Sequence, residues 1–471
     1  MFFKKISEIH LITFLFIVFF IININLHGFI FGHEGHAGPH ILAASINGES
    51  INWDFFFDDI IIDDNGYSNY SLYNHHPKLI FYLYGIIYSL VNDLTIILPL
   101  SYTVSYFFNF IGIFFIYKVI IHQTSNYKLA VFSILALIGV SNIASFLNLS
   151  TFDSLSIISA ALLYLLMIDY DKKSHIINLV GWIVTILFLF NISWYNHLIF
   201  YVFIGIKFLK SLFNGDIASF FTLKKTLINF SALICTTLII IFIINDFNSI
   251  DKIKLIGDSS AKGFGNKAFL GFNFYESIFQ LIQYFAKSLP IILILFFLYT
   301  IRKNFKKIHL NKNKVDVIIT LFVSILVFFL LDFRWNMIHN FLGIYIATFT
   351  VIIITNLISK ININVTIILI QFVFSITIAS YYFWLDYKES TKTEYIMKSL
   401  EELNIKSSEK RFIYLEGGLS VSELSDKEIP QNFNKGRLFL IGSLPISKGF
   451  VRNPVYGQTI ILKKDGTFKL Y

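Results

Sequence analysis

The chain has 471 residues, 55% of them hydrophobic and 14% charged, against a charged share of about a quarter in soluble domains. That balance excludes a soluble globular domain and predicts a polytopic membrane protein, because many separate runs reach the roughly 18 to 20 apolar residues that cross a bilayer. The net charge of +8 does not point to nucleic acid, since the lysines fall mostly in short connections between apolar runs, where the positive-inside rule expects them on the cytoplasmic face.

In chain order, the basic start MFFKK precedes an apolar stretch longer than the roughly 7 to 15 residues of a signal-peptide core, with no small-residue cleavage site after it. This predicts an uncleaved first span entering from the cytoplasm. A polar stretch, 32–78, follows on the outer side and gathers His33, His36, His40, His75 and His76 with Glu34, Asp54, Asp58, Asp59, Asp63 and Asp64. Residues 79–92 are apolar but short, which predicts a helix lying at the membrane interface rather than a crossing.

Further spans are expected at about 97–121, 129–147, 154–169, 176–191, 197–213, 226–245, 284–301, 315–332, 338–359 and 365–384, about eleven in all. With that parity Lys118, Lys128, Lys172, Lys173, Lys207, Lys210, Lys224, Lys225, the run RKNFKKIHLNKNK and Lys360 fall on one side. A crossing at 79–92 would put the densest lysine cluster outside. The lone cysteine, Cys235, lies in an apolar run, so no intrachain disulfide can form. From Asp386 the composition turns mixed and charged. Helical spacing covers 390–403, while RFIYLEGG, RLFLIGSLP and QTIILKKDGTFKLY read as strands, the last with an Asp465-Gly466 turn. The expected organisation is a transmembrane domain, 1–385, whose outer loop 32–96 carries the site, and a small extracytoplasmic α/β domain, 386–471.

Past the first span stand His33-Glu34, then GHAGPHILAASINGES with Gly48, then His75-His76-Pro77-Lys78; LNLSTFDSLSIISAALLYLL places Asp153 where an outer loop meets a span. This order resembles the GT-C superfamily of integral-membrane glycosyltransferases, of the protein O-mannosyltransferase and aminoarabinose-transferase type. Those proteins carry an acidic pair outside the first span, an interfacial helix with a small-residue turn, and a His-Pro-Pro or Lys-Pro-Pro element. The resemblance covers about the first 200 residues, and beyond them only hydropathy agrees. In the family the first acid of the pair is usually Asp and is the presumed catalytic residue, whereas this chain has His33 there. Glu34 takes over, or Asp54, Asp58 or Asp59 serves, or the chain binds without turnover.

The resemblance implies sugar transfer from a polyprenyl-phosphate donor to a lipid, glycan or protein acceptor. Such a transfer needs a carboxylate to take the acceptor's proton, and an oxocarbenium-like transition state favours negative charge nearby. Glu34 suits both tasks, with Asp153 in support and Asp58 among the alternative bases. His76, Lys78, Arg334 and His339 are the expected phosphate-binding residues, since anionic phosphate calls for cationic donors and Arg suits a bidentate grip. Each residue also has an ordinary structural reading: Glu34 as a solvated loop acid, Asp153 as a helix N-cap, His76 and Lys78 as headgroup anchors, Arg334 as an interfacial partner of Trp335.

His33, His36 and His40 with Glu34 invite a divalent metal reading, but Gly35, Gly38 and Pro39 oppose one regular helix presenting them together, which leaves solvated loop histidines as the default. No cofactor is otherwise implied. The loop GDSSAKGFGNKAFLGFNFYES reads as a flexible cationic segment. A flippase would place ionisable residues near the midplane and often shows repeated halves, and neither pattern is visible. The reading reached is an all-α polytopic protein of the cytoplasmic membrane, N-terminus inside and C-terminal domain outside, with membrane lipids as its surroundings.

Overall fold

Apolar runs become helices because a bilayer offers no water to hydrogen-bond an exposed backbone, so each segment must satisfy its own amides and carbonyls. The structure, a computed structural model, describes residues 8–23, 57–62, 68–72, 79–80, 83, 86, 94–147, 155–172, 176–245, 274–305, 315–331, 343–402, 411–416, 436–441, 459–462 and 468–470. The chain divides into two units: Met1–Ile22, Phe107–Leu147 and Leu155–Ser380 form one, and Asn23–Tyr106, Asn148–Ser154 and Tyr381–Tyr471 the other.

The helices are α1 (Glu8–Asn23), α2 (Leu94–Thr124), α3 (Tyr127–Ile138), α4 (Ser141–Phe146), α5 (Ser156–Asp169), α6 (Ile176–Phe190), α7 (Trp194–Phe213), α8 (Leu223–Asn245), α9 (Phe274–Ser288), α10 (Ile291–Asn304), α11 (Val315–Leu331), α12 (Gly343–Leu357) and α13 (Val365–Glu402). Among the described residues, Thr103–Thr124, Trp194–Phe213, Leu223–Ile241 and Val365–Trp384 are each long and apolar enough to cross a membrane. The pair α9 and α10, bent by 91°, makes a fifth if counted as one span. Other apolar helices are shorter, such as Tyr127–Ile138 and Gly343–Leu357. The protein is a multi-pass membrane protein.

The centre of the helical unit is α12, where Tyr345, Ala347, Phe349, Val351 and Ile352 are all at most 1% exposed. In contrast Phe230, Leu233, Leu238 and Ile241 of α8 are 45–59% exposed although apolar, which marks a lipid-facing helix. Side-chain bonds fix relative direction. Gln123 and Tyr164 join the C-terminal ends of α2 and α5, and Asn356 donates to Tyr164 at 3.1 Å, so α12 runs parallel to them. Tyr345 donates to Asn196 at 2.9 Å near the starts of α12 and α7. Asn126, before α3, donates to Ile361 O, beyond the end of α12, at 2.8 Å, so α3 runs the other way. The ends of α2, α5, α7 and α12 therefore share one side with the starts of α3, α8 and α11.

In the other unit six strands form one sheet in the order β2-β1-β4-β3-β5-β6, with β1 Phe57–Ile62, β2 Ser68–Leu72, β3 Arg411–Glu416, β4 Gly436–Ile441, β5 Thr459–Leu462 and β6 Phe468–Leu470. β3 and β5 run parallel and the other neighbouring pairs antiparallel. Between the pairs Phe57↔Leu72 and Ile60↔Tyr70, β1 advances three residues and β2 two, so β1 carries an extra residue at Asp58-Asp59.

Several sequence expectations change. The expected span 284–301 is broken at Leu289-Pro290, because proline has no amide for the helix ladder and its ring crowds the preceding turn. The expected span 129–147 divides at Gly139-Val140 into α3 and α4. The span at 365–384 and the tail helix at 390–403 are one continuous helix, α13, of 38 residues. The sheet is not confined to the tail, because β1 pairs with β4 through Ile60 and Gly436. Of 79–92, Leu79, Ile80, Leu83 and Ile86 are described, and all four are helical.

Candidate functional site

Among the expected site residues, Glu34, Asp153, His76, Lys78, Arg334 and His339 lie outside the described residues, as do His33 and His36 of the metal reading. Asp54 does too. Asp58 and Asp59 fall on β1, at its register irregularity, a feature that locally bends a strand and re-aims its residues. The helix α5 begins at Ser156 with Leu155 as N-cap, which offers no side-chain bond. Among the described residues no group of three or more His, Cys, Asp or Glu could hold a metal ion.

The described helices supply the frame for these segments. Residues 148–154 lead into α5 and residues 332–342 into α12, and both helices run toward the end where Gln123, Tyr164 and Asn356 meet. The first turn of α12 is tightly held. Asn142 of α4 donates to Ser288 Oγ of α9 at 2.8 Å, and a Cβ built on Gly343 would lie 2.1 Å from that amide nitrogen and 2.3 Å from that hydroxyl. Only glycine fits there. Two residues on, Tyr345 bonds Asn196, whose amide donates to Leu189 O at 2.7 Å; His197 fills the next gap, with Nε2 2.8 Å from Phe190 O and Nδ1 2.9 Å from Thr236 Oγ1. These contacts tie α4, α6, α7, α8 and α9 to the first turns of α12. Sequence reading missed them because isolated Asn, Ser and His in apolar runs carry no spacing signal.

The opposite end of the helical unit holds a cleft of about 920 Å³ between the ends of α2, α5 and α7 and the starts of α6, α8 and α11. Its floor is an ion-pair network. Asp316 accepts from Lys207 at 2.6 Å and from Lys210 at 2.8 Å. Asp171 pairs with Lys207 and, at 2.8 Å, with Lys225. Trp182 Nε1 donates to Asp169 Oδ2 at 2.7 Å, and Lys224 donates to the carbonyls of Asp169 and Lys172 at 2.7 and 3.0 Å, capping the end of α5. Burial alone would raise the Asp171 carboxyl, but bonds and charge from Lys207 and Lys225 outweigh it and hold it below the ordinary carboxylate range.

Chemically this cleft is a clamp: among the described residues its lysine ammoniums meet carboxylates and backbone carbonyls. The sequence placed these lysines on one side by topology; the carboxylates that meet them come from connections and helix starts far away in the chain.

No family model matches the chain, and no curated protein matches it. Among solved structures it is similar to ArnT from Cupriavidus metallidurans, a structure bound to undecaprenyl phosphate, with a TM-score of 0.49 and 11% identity. The match covers 77% of this chain and 62% of that one, so the chain spans less than two thirds of that protein's length. A likeness at that score and identity determines neither activity nor ligand.

Proposed function

We propose that the chain is a membrane glycosyltransferase of the GT-C kind, moving a sugar from a polyprenyl-phosphate donor to an acceptor hydroxyl or amine on the extracytoplasmic face, with inversion. The observation that supports this is the order of polar elements along the chain: His33-Glu34 after α1, His75-His76-Pro77-Lys78 before α2, Asp153 before α5, and Arg334 with His339 before α12. The last two precede, in sequence, the helices α5 and α12, which run in the same direction. The span parity read from the sequence, with the positive-inside rule, is the ground for taking the N-terminus as cytoplasmic and the C-terminal domain as extracytoplasmic in an inner membrane.

In this reading Glu34 takes the proton from the acceptor as its oxygen or nitrogen attacks the anomeric carbon. The bond from that carbon to phosphate oxygen breaks, and polyprenyl phosphate leaves as an anion. His76, Lys78, Arg334 and His339 stabilise that anion, and Asp153 orients the acceptor. Asp58, on the bulged strand β1, is the alternative base. No step is assigned to a metal at His33 and His36.

A second reading, a non-catalytic lipid-sugar binding or assembly protein, is favoured by one observation: His33 stands where the family has its first acid. The test is transfer of label from polyprenyl-phosphate sugars in membranes holding the wild-type chain or Glu34→Gln. Loss of transfer with donor binding retained supports Glu34 as base. Unchanged transfer moves the base to Asp54, Asp58 or Asp59, and donor binding without transfer by the wild-type chain favours the second reading.

A further inference from the structure

We infer that α9 is a membrane-surface helix whose partner is lipid: acyl chains lie against Phe279 and Ile282, and headgroup phosphate against Lys287. This stands apart from the sugar-transfer reading, because it rests on the geometry of α9 and α10 alone. The two helices meet at 91° across Leu289-Pro290. On α10 the apolar residues Ile291, Leu295 and Leu298, spaced by four and three, are 44%, 58% and 53% exposed, as on a helix that runs through the hydrocarbon with one face to lipid. A helix at a right angle to it lies along the membrane surface.

The sides of α9 divide three ways. Tyr284 and Ser288 are only 2% and 0% exposed, and Ser288 is fixed by Asn142, so this side is against the helical unit. Phe279 and Ile282 are 61% and 59% exposed, and Ala286 beside them is exposed as well. Gln283 and Lys287 are exposed. At about 100° per residue, Phe279, Ile282 and Ala286 fall within about 60° of one another, and Gln283 and Lys287 lie on the adjoining sector. Turning about the helix one meets protein, then apolar surface, then polar surface. That sequence of faces fits a helix at the boundary between acyl chains and headgroups, with a lysine reaching to phosphate level. The exposed apolar side is contiguous in kind with the lipid-facing side of α10, which selects lipid over a second protein as occupant.

The test uses the full chain in vesicles of phosphatidylcholine and phosphatidylglycerol. Cys235→Ser removes the native thiol, and single cysteines at Phe279, Ile282, Gln283 or Lys287 carry a nitroxide label. Collisions with oxygen, which partitions into hydrocarbon, are compared with those of a water-soluble nickel chelate. The expected result is oxygen dominance at 279 and 282, nickel dominance at 283 and 287, and depths of roughly 5 to 10 Å below the headgroups for the first pair. Nickel dominance at 279 and 282 would overturn the proposal, as would exclusion of both reagents with dipolar broadening between labels, which would mean that a second copy covers the face. If the label at Phe279 prevents folding, Ile282→Cys reads the same side.

Discussion

Lys207 of α7 reaches Asp316 at the start of α11 at 2.6 Å across 109 positions of sequence, with both side chains 13% exposed. The same aspartate takes Lys210, which is 51% exposed. Removing Asp316 leaves the largely buried Lys207 with the more exposed Asp171 as its remaining carboxylate, so its desolvation is less well compensated, whereas an exposed partner is screened by water. Asp316→Asn is therefore expected to cost about 2 to 4 kcal/mol, and Lys210→Gln less than about 1 kcal/mol. Thermal unfolding of the purified chain in detergent checks the ranking, and equal effects would sink it.

Gly343 makes the second case. An added methyl would meet Asn142 and Ser288 at 2.1 and 2.3 Å, so Gly343→Ala must displace a buried hydrogen bond. The expected loss is about 1 to 3 kcal/mol, the usual scale of overpacking. Asn142→Ala combined with Gly343→Ala should lose less than the sum of the two single variants, since the amide that clashes is then gone. Additive losses would show that the crowding lies elsewhere.

Asp171 carries a pH dependence whose sign follows from its lowered folded-state pKa. A carboxyl with a folded value below its unfolded value of about 3.9 contributes stability that is fully present above that value and is lost as pH falls through the folded one. Unfolding temperatures measured from pH 6 down to pH 3 should thus fall more for the wild-type chain than for Asp171→Asn. The effect is modest, because Asp171 is 47% exposed. Parallel curves would remove Asp171 from the acid response.

For the proposed reaction, Glu34→Gln should lower transfer by about 10² to 10⁴, the usual worth of a positioned base, with little change in donor affinity. Arg334→Ala should raise the donor KM more than Arg334→Lys, which keeps the charge and loses the bidentate fork. Steady-state transfer at varied donor concentration separates the two effects. A change in kcat alone at position 334 would remove that residue from phosphate binding.

Hydropathy was enough to find the membrane class and the approximate helices, because the cost of an unsatisfied backbone in hydrocarbon acts on each segment alone. It also gathered Lys172, Lys207, Lys210, Lys224 and Lys225 on one side, since charge position relative to a span is a one-dimensional property. The strands at 411–416, 436–441 and 459–462 were visible for the same reason, being short β-branched and aromatic runs. The break at Pro290 was present in the sequence as well, yet a long apolar run masked it.

Partnership could not be read this way. Nothing in one dimension says that Asp316 faces Lys207, that β1 joins a sheet made largely by the tail, or that Gly343 must stay bare because Asn142 and Ser288 meet over it. Those relations depend on which faces of distant segments touch, and pairing energies act only once the fold has brought both groups out of water. The order of Glu34, His76, Asp153 and Arg334 along the chain belongs to the sequence, and the common direction of α5 and α12, into which the last two lead, belongs to the fold.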